Sequence, residues 1–189
     1  MKRIYPAFLL WLTSMGTMAQ GAPAFTFENE SALSQWTATG GELSISGEHY
    51  KDGEKSLCWE ASNGDVMTAS FNALQTSGAA FFYVYNCKVS EDVLVIDFMR
   101  NDDVKRTAKV ALNFRGWRDF DRLYSEYTNG GVTTINKVRF SLQTSDSDKK
   151  KIFFDSMNFN ATANSNREHG YHMILDREQL TGGTSRLDI

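Results

Sequence analysis

The stretch KKIFFDSMNFN, residues 150–160, alternates between two sets of side chains. Side chains two residues apart share one face of an extended chain, so the pattern predicts a β-strand with a mostly apolar face. That face would carry Phe153, Asp155, Met157 and Phe159. Asp155 is the exception in this set, and a carboxylate on an apolar face must be paired or coordinated.

The same period of two recurs along the chain, in short runs enriched in β-branched and aromatic residues and separated by polar turn clusters. Both prolines precede residue 24, so every predicted strand keeps its full set of amide donors. This regular spacing predicts an all-β sandwich or barrel. The predicted strands lie near 24–28, 42–46, 55–61, 65–72, 79–86, 92–99, 105–114, 120–127, 135–142 and 151–160, with at most one helical turn near 31–35.

The composition suits one globular domain, since 41% of the 189 residues are hydrophobic and can close a core. The formal net charge of −3 argues against nucleic acid as a partner, because nucleic-acid binding depends on a basic surface.

The N-terminus has the pattern of an export signal. Lys2 and Arg3 precede a mostly apolar run, and small residues at Thr17 and Ala19 predict cleavage after residue 19. We therefore predict a signal peptide at 1–19, a β-sandwich at 24–162, and a polar linker or truncated tail at 163–189. The mature chain is predicted to be exported to the periplasm or the exterior of a bacterial cell, with no membrane span after cleavage.

The segment HYKDGEKSLCWE, residues 49–60, reads as a turn followed by a strand. Asp52-Gly53 is a turn signal, because glycine accepts positive φ and aspartate can bond to the following backbone. Leu57 and Trp59 are predicted to face the core, and Cys58 to point the other way. Export would permit a Cys58–Cys87 disulfide, but the sequence leaves that pairing open.

Glu28, near the first predicted strand, is a second carboxylate that would need a partner or a bound cation, as Asp155 does. If the first and last strands are neighbours, the two carboxylates could meet beside the Asp52-Gly53 turn. Hard oxygen ligands of this kind suit Ca²⁺. The alternative is a pair of exposed or hydrogen-bonded carboxylates.

The segment NFRGWRDF, residues 113–120, supplies a candidate binding surface. Arg115, Trp117 and Arg118 could stack on a sugar ring and pair with its anionic groups. Gly116 interrupts the alternation, which predicts a bend that turns a partly exposed Trp117 toward one edge. The alternative places Trp117 in the core and the arginines in solvent or at an interdomain contact.

Five blocks in this order resemble the N-terminal domain of the chondroitin sulfate ABC lyases, which degrade glycosaminoglycans. The blocks are FTFEN…LSQW, LSISGEHYKDGEKSLCWE, FFYVYN, VALNFRGWRDF and IFFDSMNFNA, within about residues 25–175. The resemblance implies a jelly-roll β-sandwich similar to carbohydrate-binding modules of the galactose-binding-like kind. It also implies a structural cation held by Glu28, the Asp52 turn and Asp155.

In the lyases that this chain resembles, a His, a Tyr and an Arg act on the uronic acid in a following helical domain. No such domain is expected after Leu175, so no residue here is assigned as catalytic and the chain alone is expected to be inactive. Two functions remain open. The domain binds or orients glycosaminoglycan for a lyase, or it is a structural domain that docks on the catalytic domain without sugar affinity.

Overall fold

The computed structural model describes residues 24–127, 133–161 and 173–174. This part of the chain forms twelve β-strands and two 3₁₀ helices, Glu30–Gln35 and Tyr124–Glu126. The strands are β1 (Ala24–Phe25), β2 (Trp36–Thr39), β3 (Glu42–Ser46), β4 (Ser56–Ala61), β5 (Val66–Gln75), β6 (Ala79–Asn86), β7 (Val93–Arg100), β8 (Asp103–Ala111), β9 (Gly116–Leu123), β10 (Thr134–Gln143), β11 (Lys150–Ala161) and β12 (Met173–Ile174).

The strands form two antiparallel sheets, which confirms the predicted all-β sandwich. The seven-stranded sheet has the order β12-β9-β6-β11-β4-β3, and β1 pairs with β11 as well. The five-stranded sheet has the order β2-β5-β10-β7-β8. Ala24 lies opposite Asn158 in the β1–β11 pair, so the first and last strands of the predicted set are neighbours.

The core lies between the sheets and is rich in aromatic side chains. Leu57 and Trp59 are fully buried within it, and Cys58 belongs to a separate cluster, as the alternation predicted. Phe82 stacks on Phe120 with ring centroids 4.7 Å apart and meets Phe140 of the opposite sheet edge to face at 5.6 Å. Inward-facing aromatics from both sheets therefore hold the two layers together.

Strand β11 does not keep the simple alternation that its sequence predicts. Ser156 has φ of +47°, and the pairing with β6 shifts register between Asp155 and Asn158. This irregularity places Met157 in the core, while Phe153 belongs to the separate cluster. The predicted single face of Phe153, Asp155, Met157 and Phe159 is therefore wrong, because a bulge exchanges the two faces within the strand.

Other differences from the predicted elements have local causes. Strand β2 is not among the predicted strands, because Trp36 is the one buried residue of its four and a single apolar residue shows no period of two. The predicted signal peptide 1–19 lies outside the described residues. So does most of the predicted tail 163–189, but Met173–Ile174 within it pair with β9. Neither of the 3₁₀ helices in the described ranges is long and apolar enough to cross a membrane.

The bulge in β11 predicts a strong preference at position 156. Ser156→Val should destabilise the domain by about 1–3 kcal/mol, because a β-branched residue strains at positive φ. Ser141→Val, in the regular part of β10, should change stability by less than about 0.5 kcal/mol. Urea unfolding of both variants measures the difference, and equal stabilities would contradict the bulge.

Candidate functional site

The outer face of the seven-stranded sheet carries a row of side chains in register across four strands. Trp117 of β9 lies opposite Tyr85 of β6, which lies opposite Phe153 of β11, which lies opposite Cys58 of β4. We call these four residues the outer cluster. All are at most 5% exposed, although they face away from the core. A second buried layer therefore exists outside the sandwich.

The segment 47–55, which we call the covering turn, lies over this row. The His49 ring stacks on Tyr85 with centroids 3.9 Å apart and meets Phe153 edge to face at 4.9 Å. The Lys51 ammonium lies 5.5 Å from the ring centre of Tyr83, which also packs against the cluster. These contacts cover Tyr85 and Phe153 beneath the turn, and Trp117 in turn packs edge to face on Tyr85.

Two carboxylates from distant parts of the chain hold the covering turn in place. Asp155 Oδ2 accepts hydrogen bonds from the backbone amides of Lys51 at 2.8 Å and Asp52 at 2.9 Å. Glu28 Oε2 accepts one from the amide of Glu54 at 3.1 Å. Gly53, with φ of +69°, is required here, since a Cβ would lie 2.2 Å from Glu28 Oε1.

Asp155 is fully buried, and its electrostatic position is unfavourable for a charged group. Burial raises the pKa of its carboxyl group, amide donation from Asp52, Lys51 and Ser156 lowers it in part, and the Asp52 charge raises it. Because the pKa of Asp155 is higher in the folded state, protonation of Asp155 favours folding. That stabilisation is complete below the ordinary pKa of aspartate and is lost as the pH rises through the raised value. Because burial disfavours the charged form of Asp155, its carboxylate would be stabilised by a further positive partner.

Of the predicted cation ligands, Asp52 belongs to the covering turn, and Glu28 and Asp155 contact it. Asp52 Oδ1 accepts from the amide of Gly53 at 3.0 Å, and the other two carboxylates accept from the turn as described above. Across 24–127 and 133–161, no group of three or more His, Cys, Asp or Glu side chains is arranged to hold a metal ion. The oxygen donors suit a hard cation, and further ligands would come from carbonyl groups of the turn. The cation site stays a prediction.

The segment around Trp117 is placed only partly as the sequence indicated. Gly116 has φ of +97°, a conformation that favours glycine, and it pairs in regular register with Asn86 of β6. The expected partial exposure of Trp117 is wrong: its side chain is 5% exposed and meets Tyr85 at a centroid distance of 5.3 Å. Arg115 is exposed, and the Arg118 guanidinium lies 4.1 Å from the ring centre of Phe114. A role in sugar binding or docking for Arg115, Trp117 and Arg118 stays a prediction.

The sequence does carry a signal for the outer cluster, because some strands have apolar side chains on both faces. FFYVYN and KIFF carry large apolar side chains on both faces, which is typical of strands that are covered on both sides. His49 carries no such signal, because it lies in a polar turn. Cys58 and Cys87 are free thiols, and burial raises the pKa of the Cys58 thiol to about 11.

The two antiparallel sheets define the protein as an all-β sandwich. Within that class, the chain belongs to the family described as "Lyase, N terminal", whose model matches residues 22–171. The match spans all the strands from β1 to β11.

The similar proteins are named for different carbohydrates. The chondroitin sulfate ABC exolyase of Proteus vulgaris is 24% identical over 140 residues, which are 70% of this chain and 14% of that enzyme. An exo-β-agarase structure shares the fold with a TM-score of 0.55 and 13% identity, over 71% of this chain and 24% of its own. A xylan-binding domain from CBM 22 is 16% identical with a TM-score of 0.47, over 77% of this chain and 99% of its own.

The burial of Trp117 predicts a structural effect of its removal. Trp117→Ala should destabilise the domain by about 3–5 kcal/mol, because it empties a closed aromatic site. Arg115→Ala, two residues away and exposed, should cost less than about 0.5 kcal/mol. Urea unfolding checks both values, and a Trp117→Ala variant as stable as Arg115→Ala would show that the indole is not enclosed.

Proposed function

We propose that this chain is a non-catalytic, carbohydrate-binding-like module of a lyase that acts on chondroitin sulfate or another glycosaminoglycan. The observation that carries the proposal is the family match over residues 22–171, which includes the whole sandwich from β1 to β11. The related exolyase is named for chondroitin sulfate, and this chain spans 14% of its length. The module would orient polysaccharide or support a catalytic domain, in an exported protein.

The surroundings of His49 support a non-catalytic role. Elimination at a uronate needs a base within hydrogen-bond reach of the proton that it removes. His49 is the one histidine within the described residues, and His169 and His172 lie outside them. Its ring is held between Tyr85 and Phe153, and Tyr85 is 2% exposed. Tyr85 is therefore closed to a polymer, and the His49 ring, with its side chain 18% exposed, is fixed against two other rings.

The alternative is a docking domain without sugar affinity, and the burial of Trp117 favours it. A sugar-stacking platform needs an accessible aromatic face, whereas the covering turn closes the outer cluster. On this alternative the exposed Arg115 and the half-buried Arg118 would contact a catalytic domain.

Calorimetric titration of the purified chain with chondroitin sulfate oligosaccharides separates these two functions. The module function predicts saturable binding and no rise in ultraviolet absorbance from unsaturated uronate. A chain that binds none of the oligosaccharides supports docking alone. A steady absorbance rise with chondroitin sulfate would overturn the non-catalytic role.

We further propose that a hard cation such as Ca²⁺ binds at the covering turn and draws the Glu28, Asp52 and Asp155 carboxylates together as its side-chain ligands. The support is the buried Asp155 carboxylate, which has no basic partner among the ion pairs of residues 24–127 and 133–161. Such an ion would neutralise Asp155 and tie the turn to β11. It would thereby stabilise the covered state of the outer cluster.

The cation proposal predicts a higher melting temperature in calcium than in chelator, with a gain of about 2.7 kcal/mol at a hundredfold excess over the dissociation constant. Gly53→Ala should abolish this difference, because the added methyl group displaces the Glu28 carboxylate. Gly64→Ala is the matched control: it has a similar positive φ, but its new methyl group meets nothing within 4 Å. Identical melting of the unmodified chain in calcium and in chelator would contradict the site.

A further inference from the structure

A groove runs along the outer edge of the five-stranded sheet, far in sequence from the covering turn. It consists of two adjoining cavities of about 240 and 280 Å³ that share Thr107 of β8 and Tyr127 as lining residues. We call it the edge groove. In the described part of the sheet β8 is the terminal strand, so no further strand closes this side.

The edge groove is basic, although the chain as a whole is acidic. Its charged lining residues are the basic Lys105, Arg106, Lys109 and Arg122 and the acidic Glu126. The local excess of positive charge therefore opposes the formal net charge of −3 for the whole chain. A concave surface with an excess of one sign of charge concentrates ligands of the opposite sign.

The two lysines of β8 are available to a ligand. Lys109 is exposed. Lys105 Nζ lies 3.5 Å from Asp103 Oδ2, but the Asp103 side chain is 82% exposed. An ion pair of this kind is weak in water, so an incoming anion can replace it at little cost.

Tyr127 adds a directional donor to this basic surface. Its hydroxyl oxygen is buried and has no hydrogen-bond partner within 24–127 and 133–161. Its ring is fixed by Phe98 and Tyr124, at centroid distances of 5.8 and 6.0 Å. A buried hydroxyl without a partner is unfavourable, and an oxygen atom of a ligand in the groove would satisfy it.

The electrostatic surroundings of this hydroxyl point to an anionic ligand. Burial raises the pKa of Tyr127, the Arg122 charge lowers it, the Glu126 charge raises it, and the Arg106 charge lowers it. The phenol therefore stays protonated at neutral pH and can donate a hydrogen bond, while both guanidinium groups lie close enough to influence it. A protonated donor beside cationic groups is suited to sulfate or carboxylate oxygens.

We infer that the edge groove binds the sulfate and carboxylate groups of a glycosaminoglycan chain, with Lys105, Lys109 and Arg122 pairing with the anions and Tyr127 donating to one of their oxygens. This inference rests on the proposed function and names its binding surface. Lys105 lies at a register shift of β8, and Lys109 lies four residues further along, which is at most about 13 Å in an extended strand. The groove can therefore follow a linear polymer, whereas the outer cluster is closed by the covering turn.

The test uses calorimetry with a chondroitin sulfate hexasaccharide at low ionic strength. Lys105→Gln/Lys109→Gln should weaken binding about tenfold, since charged hydrogen bonds contribute the most to such a contact. The matched control is Lys88→Gln/Lys149→Gln, which removes two exposed lysines outside the groove and should bind within about twofold of the unmodified chain. Added salt should weaken binding by the unmodified chain more than by the groove variant.

The Tyr127→Phe variant distinguishes a loss of binding from a loss of folding. It should weaken hexasaccharide binding while the melting temperature stays unchanged or rises, because the deleted hydroxyl has no partner in the described residues. Groove variants that bind as tightly as the control pair would overturn the groove and leave the sugar affinity standing. An unmodified chain that binds no glycosaminoglycan would overturn the sugar-binding function, and this inference with it.

Discussion

The Asp155 carboxylate is the contact on which the outer half of this protein depends. It accepts hydrogen bonds from the amides of Lys51 and Asp52, about a hundred residues earlier in the chain, and so fixes the covering turn against β11. The bulge at Ser156 immediately follows it and returns the strand to the core pattern at Met157. One short segment therefore joins the turn, the last long strand and the core.

This arrangement accounts for the second buried layer on the seven-stranded sheet. With the turn in place, His49 covers Tyr85 and Phe153, and the row continues to Trp117. Buried aromatic side chains contribute large apolar areas, so the layer stabilises the sheet from outside. The same closure removes the most aromatic surface of the domain from contact with a sugar in this state.

The functional consequence is a division between the two sheets. The seven-stranded sheet carries the aromatic layer and the carboxylates around its covering turn, which are features of stability and of a proposed cation. The edge of the five-stranded sheet carries the basic groove, where the charges match a sulfated or carboxylated polymer. The chain belongs to the family of N-terminal lyase domains, and the proposed accessory role rests on that membership.

The sequence by itself determined the all-β class, a sandwich or barrel as its form, and the inward positions of Leu57 and Trp59, and it indicated that Glu28 and Asp155 could meet beside one turn. These follow from local rules: a period of two, the turn chemistry of Asp52-Gly53, and the neighbouring first and last strands. The face of Met157, the burial of Trp117 and the edge groove were decided only by the tertiary structure. A bulge shifts the faces without a clear sequence signal, Tyr83 and Tyr85 of the neighbouring strand pack on the indole, and the groove joins β8 to residues 122–127 through space. Each depends on contacts between distant segments, and the local alternation of residues carries no information about those contacts.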